Sequence, residues 1–524
     1  KDFEKSLDQG YVDRTSFQGF SWKGGLPRLF SGFLGLVFDS CDGVLLNRPS
    51  IAAIRAIRQV TLMFAKIEME CTPARQLKAI EGYIECEKEV RKSDASLDPA
   101  ILRRFTEVSA RLWGPALAQL ENSLYAGTWD APLRHGTGQT ADRRIGNSKY
   151  ESWTWTERLE SVLPFGDYCL PNARYSLEYL PRVDFLEPGR ELPVKVTLVP
   201  KTLKTPRVIA MEPSWNMFVQ QGLMSSFQDC IDSVSYLRNL VGWHDQFPNQ
   251  DLARVGSSTG HLATLDLSEA SDRVSNQHVL ALLRPFPLTS ELVQASRSRK
   301  ADVPGWPQQR LAKFASMGSA LTFPLEAMVF LTIIVLALEE EHSTRLTIKD
   351  IKSLVGKVRV YGDDLVVPTD SVQAVIGMLE TFGLRVNRSK SFWTGKFRES
   401  CGKDFYDGED VSIFKMRRLF PTRRRDAYRT EAAEVESLYS LRNQAYWHGY
   451  WKVASRLDSL IREYGFPNPT VLETSSVLGR NSILGYEIQS IDKHLHTPLV
   501  TGFVDASRPP QNSVDGVPAL FKCL

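Results

Sequence analysis

The sequence contains no Cys-x-x-Cys pair, no His-Glu-x-x-His signature, no G-x-x-x-x-G-K-[ST] phosphate loop and no G-x-G-x-x-G turn. The first two absences argue against a structural zinc site and a zinc peptidase. The other two take the main support from a P-loop ATPase and a Rossmann dehydrogenase. Seven scattered cysteines, an odd number, argue against a disulfide framework and fit a reducing cytoplasm. No internal repeat, low-complexity tract or signal peptide is visible in the residues given. The most apolar stretch, Ala327–Leu338, is about twelve residues, too short to span a bilayer; it reads as a buried helix, and no membrane partner is expected. An excess of one charge is missing as well: 64 Lys and Arg against 61 Asp and Glu leave +3. A nucleic-acid partner would therefore need positive charge gathered in a channel, with acidic residues elsewhere.

What is present is ordinary globular composition over 524 residues, a length that suits two or three subdomains. Periodicity predicts helices over Ile51–Lys66, Ala100–Leu120, Ser319–Glu340, Val372–Phe382 and Glu431–Arg462. Strands are predicted at Val194–Val199, Arg207–Ala210 and His261–Leu267, and a hairpin over Lys357–Val367. Residues 126–190, rich in Gly, Pro, Trp and Arg, read as loops and short elements. The order describes an α+β fold with helices packed on one face of a sheet.

Five segments could carry chemistry. Tyr361-Gly362-Asp363-Asp364 lies between two apolar β runs. Paired carboxylates at a hairpin tip repel one another, and Mg²⁺ relieves that repulsion; the plain alternative is a solvated Gly-Asp turn. Asp266 ends an apolar strand and could face Asp363, since a two-metal site draws ligands from more than one element. Ser268 or Asp272 could equally cap the helix that follows. Ser316-Met317-Gly318-Ser319-Ala320 opens the long helix; its small residues would let a template base or ribose approach, or Ser319 simply caps. Lys201, Lys204 and Arg207 could grip a triphosphate or form a solvated basic turn. Arg417, Arg418, Arg423, Arg424 and Arg425 make a compact patch suited to RNA phosphates or a surface charge run. Trp153 and Trp155 could stack on bases or be core.

In order and spacing these segments resemble the replicases of small positive-strand RNA bacteriophages, the levivirus group. KTLKTPRVIAMEPSWNM (Lys201–Met217) is similar to their basic nucleotide-entry motif. TLDLSEASDRVS from Thr264, SMGSALTFPLE from Ser316 and YGDD are similar to their first three palm motifs, and Phe382–Val411, with FRESCGKDFY, to their fourth and fifth. Narnavirus and ourmiavirus polymerases share parts of the pattern. The likeness is dense over about 200–411 and weak at both ends.

The resemblance implies an RNA-directed RNA polymerase replicating a phage genome in the cytoplasm of its bacterial host. It implies a right hand with an antiparallel, RRM-like palm and mostly helical fingers and thumb. Fingers would be mainly 1–260, with the entry motif at 199–217; palm 261–420, with 281–312 shared with the fingers; thumb and C-terminal segment 421–524. Asp266, Asp363 and Asp364 would bind two Mg²⁺ ions, or Mn²⁺ in their place, and Lys390 would protonate the leaving pyrophosphate. Lys201, Lys204, Arg207, Ser271, Asp272, Gly318 and Ser319 would meet the ribonucleoside triphosphate. Arg398 and Lys403, with the arginine patch, would meet RNA template and product; Glu399, Cys401 and Gly402 would line the same junction. Host elongation factors EF-Tu and EF-Ts are implied as subunits.

Two departures stand out. The place five residues after Asp266, often an Asp that reads the ribose hydroxyl, is Ser271, with Asp272 next, so either could be the reader. The usual Gly-Asn-Gly of the second motif is Gly318-Ser319-Ala320. Competing readings are a reverse transcriptase-like polymerase and a non-catalytic RNA-binding palm protein.

Overall fold

The computed structural model describes residues 2–130, 133–202, 204–422, 427–504 and 513–523. Arg423, Arg424 and Arg425 lie outside the described residues. The elements that matter for the site are, in chain order, α1 (Asp2–Gln9), α2 (Ile51–Leu62), α3 (Pro73–Ser96), α4 (Pro99–Tyr125), β1 (Val194–Val199), β2 (Arg207–Met211), α5 (Ser214–Asp232), α6 (Phe247–Thr259), β3 (Leu262–Ser268), α7 (Thr322–Glu341), β4 (Arg359–Tyr361), β5 (Asp364–Pro368), α8 (Val372–Thr381), β6 (Arg385–Val386), β7 (Phe397–Ser400), β8 (Lys403–Tyr406), α9 (Ala432–Trp447) and α10 (Trp451–Glu463). The mixture of helices and sheets matches the α+β expectation.

Four strands form the sheet that carries the acidic motifs, in the order β4-β5-β3-β6. All three pairings are antiparallel. Apolar residues set the register of the central pair: Leu265 lies opposite Leu365, Ala263 opposite Val367, and Thr264 opposite Val366. All six are buried, so both faces of the pair are covered, and sliding the pairing by one residue would exchange the two faces and disrupt the packing on each. β1 and β2 form a second hairpin, extended in parallel by a strand at Lys300–Asp302.

Helix α7 is the spine of the core. Its apolar length is 89% buried, although its twenty residues are by length and composition long enough to cross a membrane. The helix expected over Ser319–Glu340 is observed at Thr322–Glu341, and its polar end finds partners. Glu339 accepts hydrogen bonds from Arg111, from Arg104 at 3.2 Å and from the Leu346 backbone N–H at 2.9 Å. The predicted helix over Glu431–Arg462 is two helices, α9 and α10. Gly449, at φ +79°, turns the chain between them. The two share a small core with Phe414 and Met416.

Leu331, in the middle of α7, has no exposed surface. Leu331→Ala should cost about 2–5 kcal/mol of stability, read as an earlier urea midpoint. A loss below about 1 kcal/mol would deny α7 its place at the centre of the core.

Candidate active site

Two features hold the β4–β5 hairpin tip rigid. Gly362 takes φ +57° at the first central position of the two-residue turn, where glycine meets no penalty. A Cβ there would come within 2.6 Å of the Phe323 ring. On the strand side the Tyr361 hydroxyl donates to the Trp243 carbonyl at 3.1 Å, and buried Arg359 donates from Nε to Asn249 Oδ1 at 3.0 Å.

The register brings the acidic motifs together. Asp364, first residue of β5, lies directly opposite Asp266 of β3, and Asp363 precedes it in the turn. Like charges placed so destabilise a sheet unless something answers them. Asp266 Oδ2 accepts from Asn387 Nδ2 at 2.7 Å, and its Oδ1 from Lys390 Nζ at 3.3 Å. Asp364 Oδ2 accepts from the Cys401 backbone N–H at 3.1 Å. Cys401 and Gly402 both take positive φ, +48° and +74°, as a tight turn between β7 and β8 requires.

The electrostatics follow from this crowding. Burial, then the charges of Asp363 and Asp266, pushes the Asp364 carboxyl up to about 7. Asp363 is exposed at the tip with protein crowded beneath it; desolvation, then Asp266, raises it too, while Lys390 and Lys201 pull it back. Lys390 is lowered by burial but raised more by Asp266 and Glu399, and ends above its usual value. Lys201 is held below its usual value by burial, then by Arg207 and Lys390, with Asp363 and Asp266 opposing. Lys201 thus shares one electrostatic field with the carboxylates. Lys204 and Arg207 sit exposed on the same hairpin.

Asp266, Asp363 and Asp364 are the side chains that could hold divalent cations. Among the described residues no group of three or more His, Cys, Asp or Glu is already gathered into a metal-binding cluster. Asp266 is turned toward Asn387 and Lys390, and Asp364 toward Cys401. The donor chemistry nevertheless fits a hard cation: three carboxylates on adjoining strands and their turn, two of them raised first by burial and then by their acidic neighbours.

Other expected contacts resolve differently. Asp272 does not cap its helix: its Oδ1 accepts from Lys313 Nζ at 3.1 Å and Ser316 Oγ at 2.8 Å. Lys313 has no exposure and lies 3.7 Å from the centre of the Tyr83 ring. Gly318 is small to admit the protein's own backbone rather than a base or ribose. A Cβ there would lie 2.1 Å from the Ala210 carbonyl oxygen, at φ +135°. Ser319 is engaged within the fold, donating to Gln220 Oε1 at 2.9 Å and accepting from the Leu321 N–H at 3.2 Å. Arg398 is wholly buried and donates to the carbonyls of Leu262, Gly395 and Phe397, so it braces β3 against β7 and is closed to RNA. Arg418 pairs with Glu68 and Glu434, and Lys403 with Asp410. Arg417 stays exposed, close enough to Lys66, with Lys415 and Lys390, to help lower its pKa after burial. Trp155 is core, donating to the Leu163 carbonyl, and Trp153 stacks on Tyr179.

Asn387, Lys313 and Glu326 escaped the sequence reading. Asn387 was within reach, three residues before Lys390 in VNRSK. Lys313 had no local signal, since a lone lysine reads as surface.

Asp364 sets a pH dependence. Its folded value of about 7 stands above the ordinary 3.8, so the folded state holds this proton more tightly than the unfolded chain. That contribution is complete below about pH 4 and is lost as pH rises through 7. In chelator, Tm should fall across pH 5–8 by about 3 °C more for the unsubstituted chain than for Asp364→Asn. Equal slopes for the two proteins would contradict the crowding described here.

The RNA replicase, beta-chain family matches residues 191–424. The chain is 38% identical over 229 residues to the "RNA-directed RNA polymerase subunit beta" of Enterobacteria phage SP, covering 43% of this chain and 36% of that protein. It is 38% identical over 225 residues to the protein of that name from Qbeta virus (strain MX1), covering 43% and 35%. To the "RNA-directed RNA polymerase beta chain" of Escherichia phage MS2 it is 32% identical over 385 residues, covering 72% and 64%. The chain thus spans between about a third and two thirds of these relatives' own length. Asp266, Asp363, Asp364, Lys201 and Lys390 all lie inside residues 191–424, the segment that matches the RNA replicase beta-chain family.

Proposed function

We propose that this chain is an RNA-directed RNA polymerase, joining ribonucleotides on an RNA template to replicate a levivirus-type phage genome in the host cytoplasm. The observation that carries the reading is Asp266 directly opposite Asp364, with Asp363 in the adjoining turn. A sheet pays for such a placement only where the charge is used.

On this reading residues 261–420 are mainly the palm of a right-hand polymerase, its RRM-like sheet being β4-β5-β3-β6. Residues 1–260 are mainly fingers, with 281–312 shared, and 421–524 the thumb and C-terminal segment. Phosphoryl transfer asks for positioning and charge neutralisation more than for covalent chemistry. Mg²⁺ or Mn²⁺ ions bound by Asp266, Asp363 and Asp364 would lower the pKa of the RNA 3′-hydroxyl and neutralise developing charge. Lys201, Lys204 and Arg207 would hold the triphosphate. Lys390, kept as an ammonium by Asp266 and Glu399, would give its proton to the leaving pyrophosphate. The exposed cations near the site, Arg417 and Lys66 among them, would follow the RNA backbone. The relatives are named as a subunit or a chain; by analogy further subunits join this one, and EF-Tu and EF-Ts are the candidates.

The test is incorporation by the purified chain on a defined RNA, with and without bacterial lysate, using ribo- and deoxyribonucleotides in parallel. Ribonucleotide incorporation is expected, and Asp363→Asn should reduce it by more than about 100-fold without unfolding the protein. Near-normal turnover by that variant would refute the assignment. A preference for deoxynucleotides would make the chain a reverse transcriptase, and RNA binding without incorporation in either metal would make it a binding protein.

A further inference from the structure

Helix α11 (Gly516–Cys523) buries two side chains, Val517 and Phe521. Phe521 enters a pocket of about 230 Å³ lined by His135, Lys149, Trp155, Phe165, Trp215 and Phe218. Its ring meets Phe218 edge-on at 5.1 Å, Tyr150 at 5.5 Å and Phe165 at 6.3 Å between centroids. Tyr150 belongs to a short helical turn, Gly146–Glu151, that lies against α11. Phe218 belongs to α5, whose Gln220 accepts from Ser319 just before α7. The pocket is therefore fixed on the main core.

The seat is well shaped but poor in bonds. Among the described residues no hydrogen bond or ion pair joins residues 513–523 to the rest of the fold; the Gly516 N–H donates to the neighbouring Asp515. In the wall of the pocket, His135 Nδ1 and Ser152 Oγ are buried without a hydrogen-bond partner among the described residues. Water entering as the ring withdraws would satisfy both. An element held by two apolar side chains and no polar bond opens at the low end of local stability.

The chain that carries α11 comes from a different body. Phe503 packs against the small core of α9 and α10, meeting Phe466 at 5.6 Å and stacking on Tyr428 at 5.0 Å. From Val504 to Ser513 a backbone spans at most about 30 Å. While Phe521 is seated, the α9–α10 body stays within that reach of α5. The body is also tied where the Met416 N–H donates to the Met63 carbonyl at 2.9 Å and Arg418 pairs with Glu68 at 3.3 Å.

We propose that α11 is a releasable strap with Phe521 as its catch. Seated, it holds the α9–α10 body toward α5; withdrawn, it lets that body swing about its junction with residues 63–68. Its use rests on the polymerase reading, in which α9 and α10 belong to the thumb and a strapped thumb keeps RNA in the channel through many additions. Phe521 touches no reacting atom, so it is a positioning residue. Losing the catch lowers the effective concentration of thumb at the RNA and leaves single nucleotide addition intact.

The experiment compares the unsubstituted full chain with Phe521→Ala and Phe521→Leu. Hydrogen–deuterium exchange over Gly146–Glu151 and Gly516–Cys523 should be about tenfold faster in the alanine variant and near normal in the leucine variant, with the β4–β5 hairpin unchanged. On a defined RNA with a heparin trap, the alanine variant should release products about threefold shorter at an unchanged single-addition rate. Unchanged exchange in Phe521→Ala overturns the strap at its seat. Faster exchange with full-length products overturns its hold on RNA, and a single-addition rate that falls in step with product length reduces the helix to a support of the fold. Should Phe521→Ala lose its cooperative melt, Val517→Ala makes the same comparison. A chain that incorporates no nucleotide in any form ends the polymerase reading and the strap's role with it, whatever the exchange shows.

Discussion

Two carboxylates set face to face on neighbouring antiparallel strands repel one another through the whole life of the fold. Asp266 and Asp364 are such a pair, and Asp363 adds a third charge at the turn. What keeps the strands together lies just behind them: Leu265 on Leu365, Thr264 on Val366, Ala263 on Val367, with the buried helix α7 in the same core. Burial of this kind contributes roughly 25 cal/mol for each Å² of apolar surface withdrawn from water. The hydrophobic register therefore forces the charges into opposition, and a one-residue slip that relieved them would mispack both covered faces of the sheet.

The rest of the site answers that repulsion group by group. Asn387 and Lys390 take the two oxygens of Asp266, the Cys401 N–H takes one of Asp364, and Lys201 contributes charge from a different hairpin. The answer is incomplete: burial first, and the neighbouring carboxylates after it, keep Asp363 and Asp364 raised. Incompleteness is the useful property. A set of carboxylates fully neutralised by lysines would have no demand for a further cation, whereas this one keeps a demand at neutral pH. It also reconciles a charge of only +3 over the chain with a polyanionic partner, because what matters is where the cations gather.

Local pattern revealed the elements that depend on local pattern. The β4–β5 hairpin, β1, β2, α7 and α8 are all visible in alternation, helical spacing and turn glycine. Asp266, Asp363 and Asp364 were legible because each sits at the end of such an element. Side-chain partners were not. Arg398 reads as a surface cation until the fold closes carbonyls around it. Gly318 and Ser319 read as substrate contacts until Ala210 and Gln220 arrive from β2 and α5. Lys313 and Asp272 are 41 residues apart, and nothing in either neighbourhood announces the other. Glu326 gave no signal either: it stands in the second turn of an apolar helix, and only the fold places it, buried, under Gly362.

The N-terminal residues show how far from the motifs the site is built. The Cys401 N–H reaches Asp364 only if the β7–β8 hairpin stands where it does. Buried Arg58 of α2 fixes that hairpin by pairing at 2.9 Å with both Asp404 of β8 and Glu4 of α1. Helix α1 then reaches the segment before β7: Lys5 donates to the Ser391 carbonyl at 2.6 Å, and Asp8 accepts from the N–H groups of Thr394 and Gly395. Ser391 in turn accepts from the Asp266 N–H at 3.1 Å. A continuous path of hydrogen bonds and ion pairs thus runs from residues 4–8 to the acidic pair. Buried ion pairs contribute little net stability but are costly to break singly, so this path acts on geometry more than on stability. Helix α1, far outside residues 191–424, is thereby part of what holds Asp266 and Asp364 in opposition.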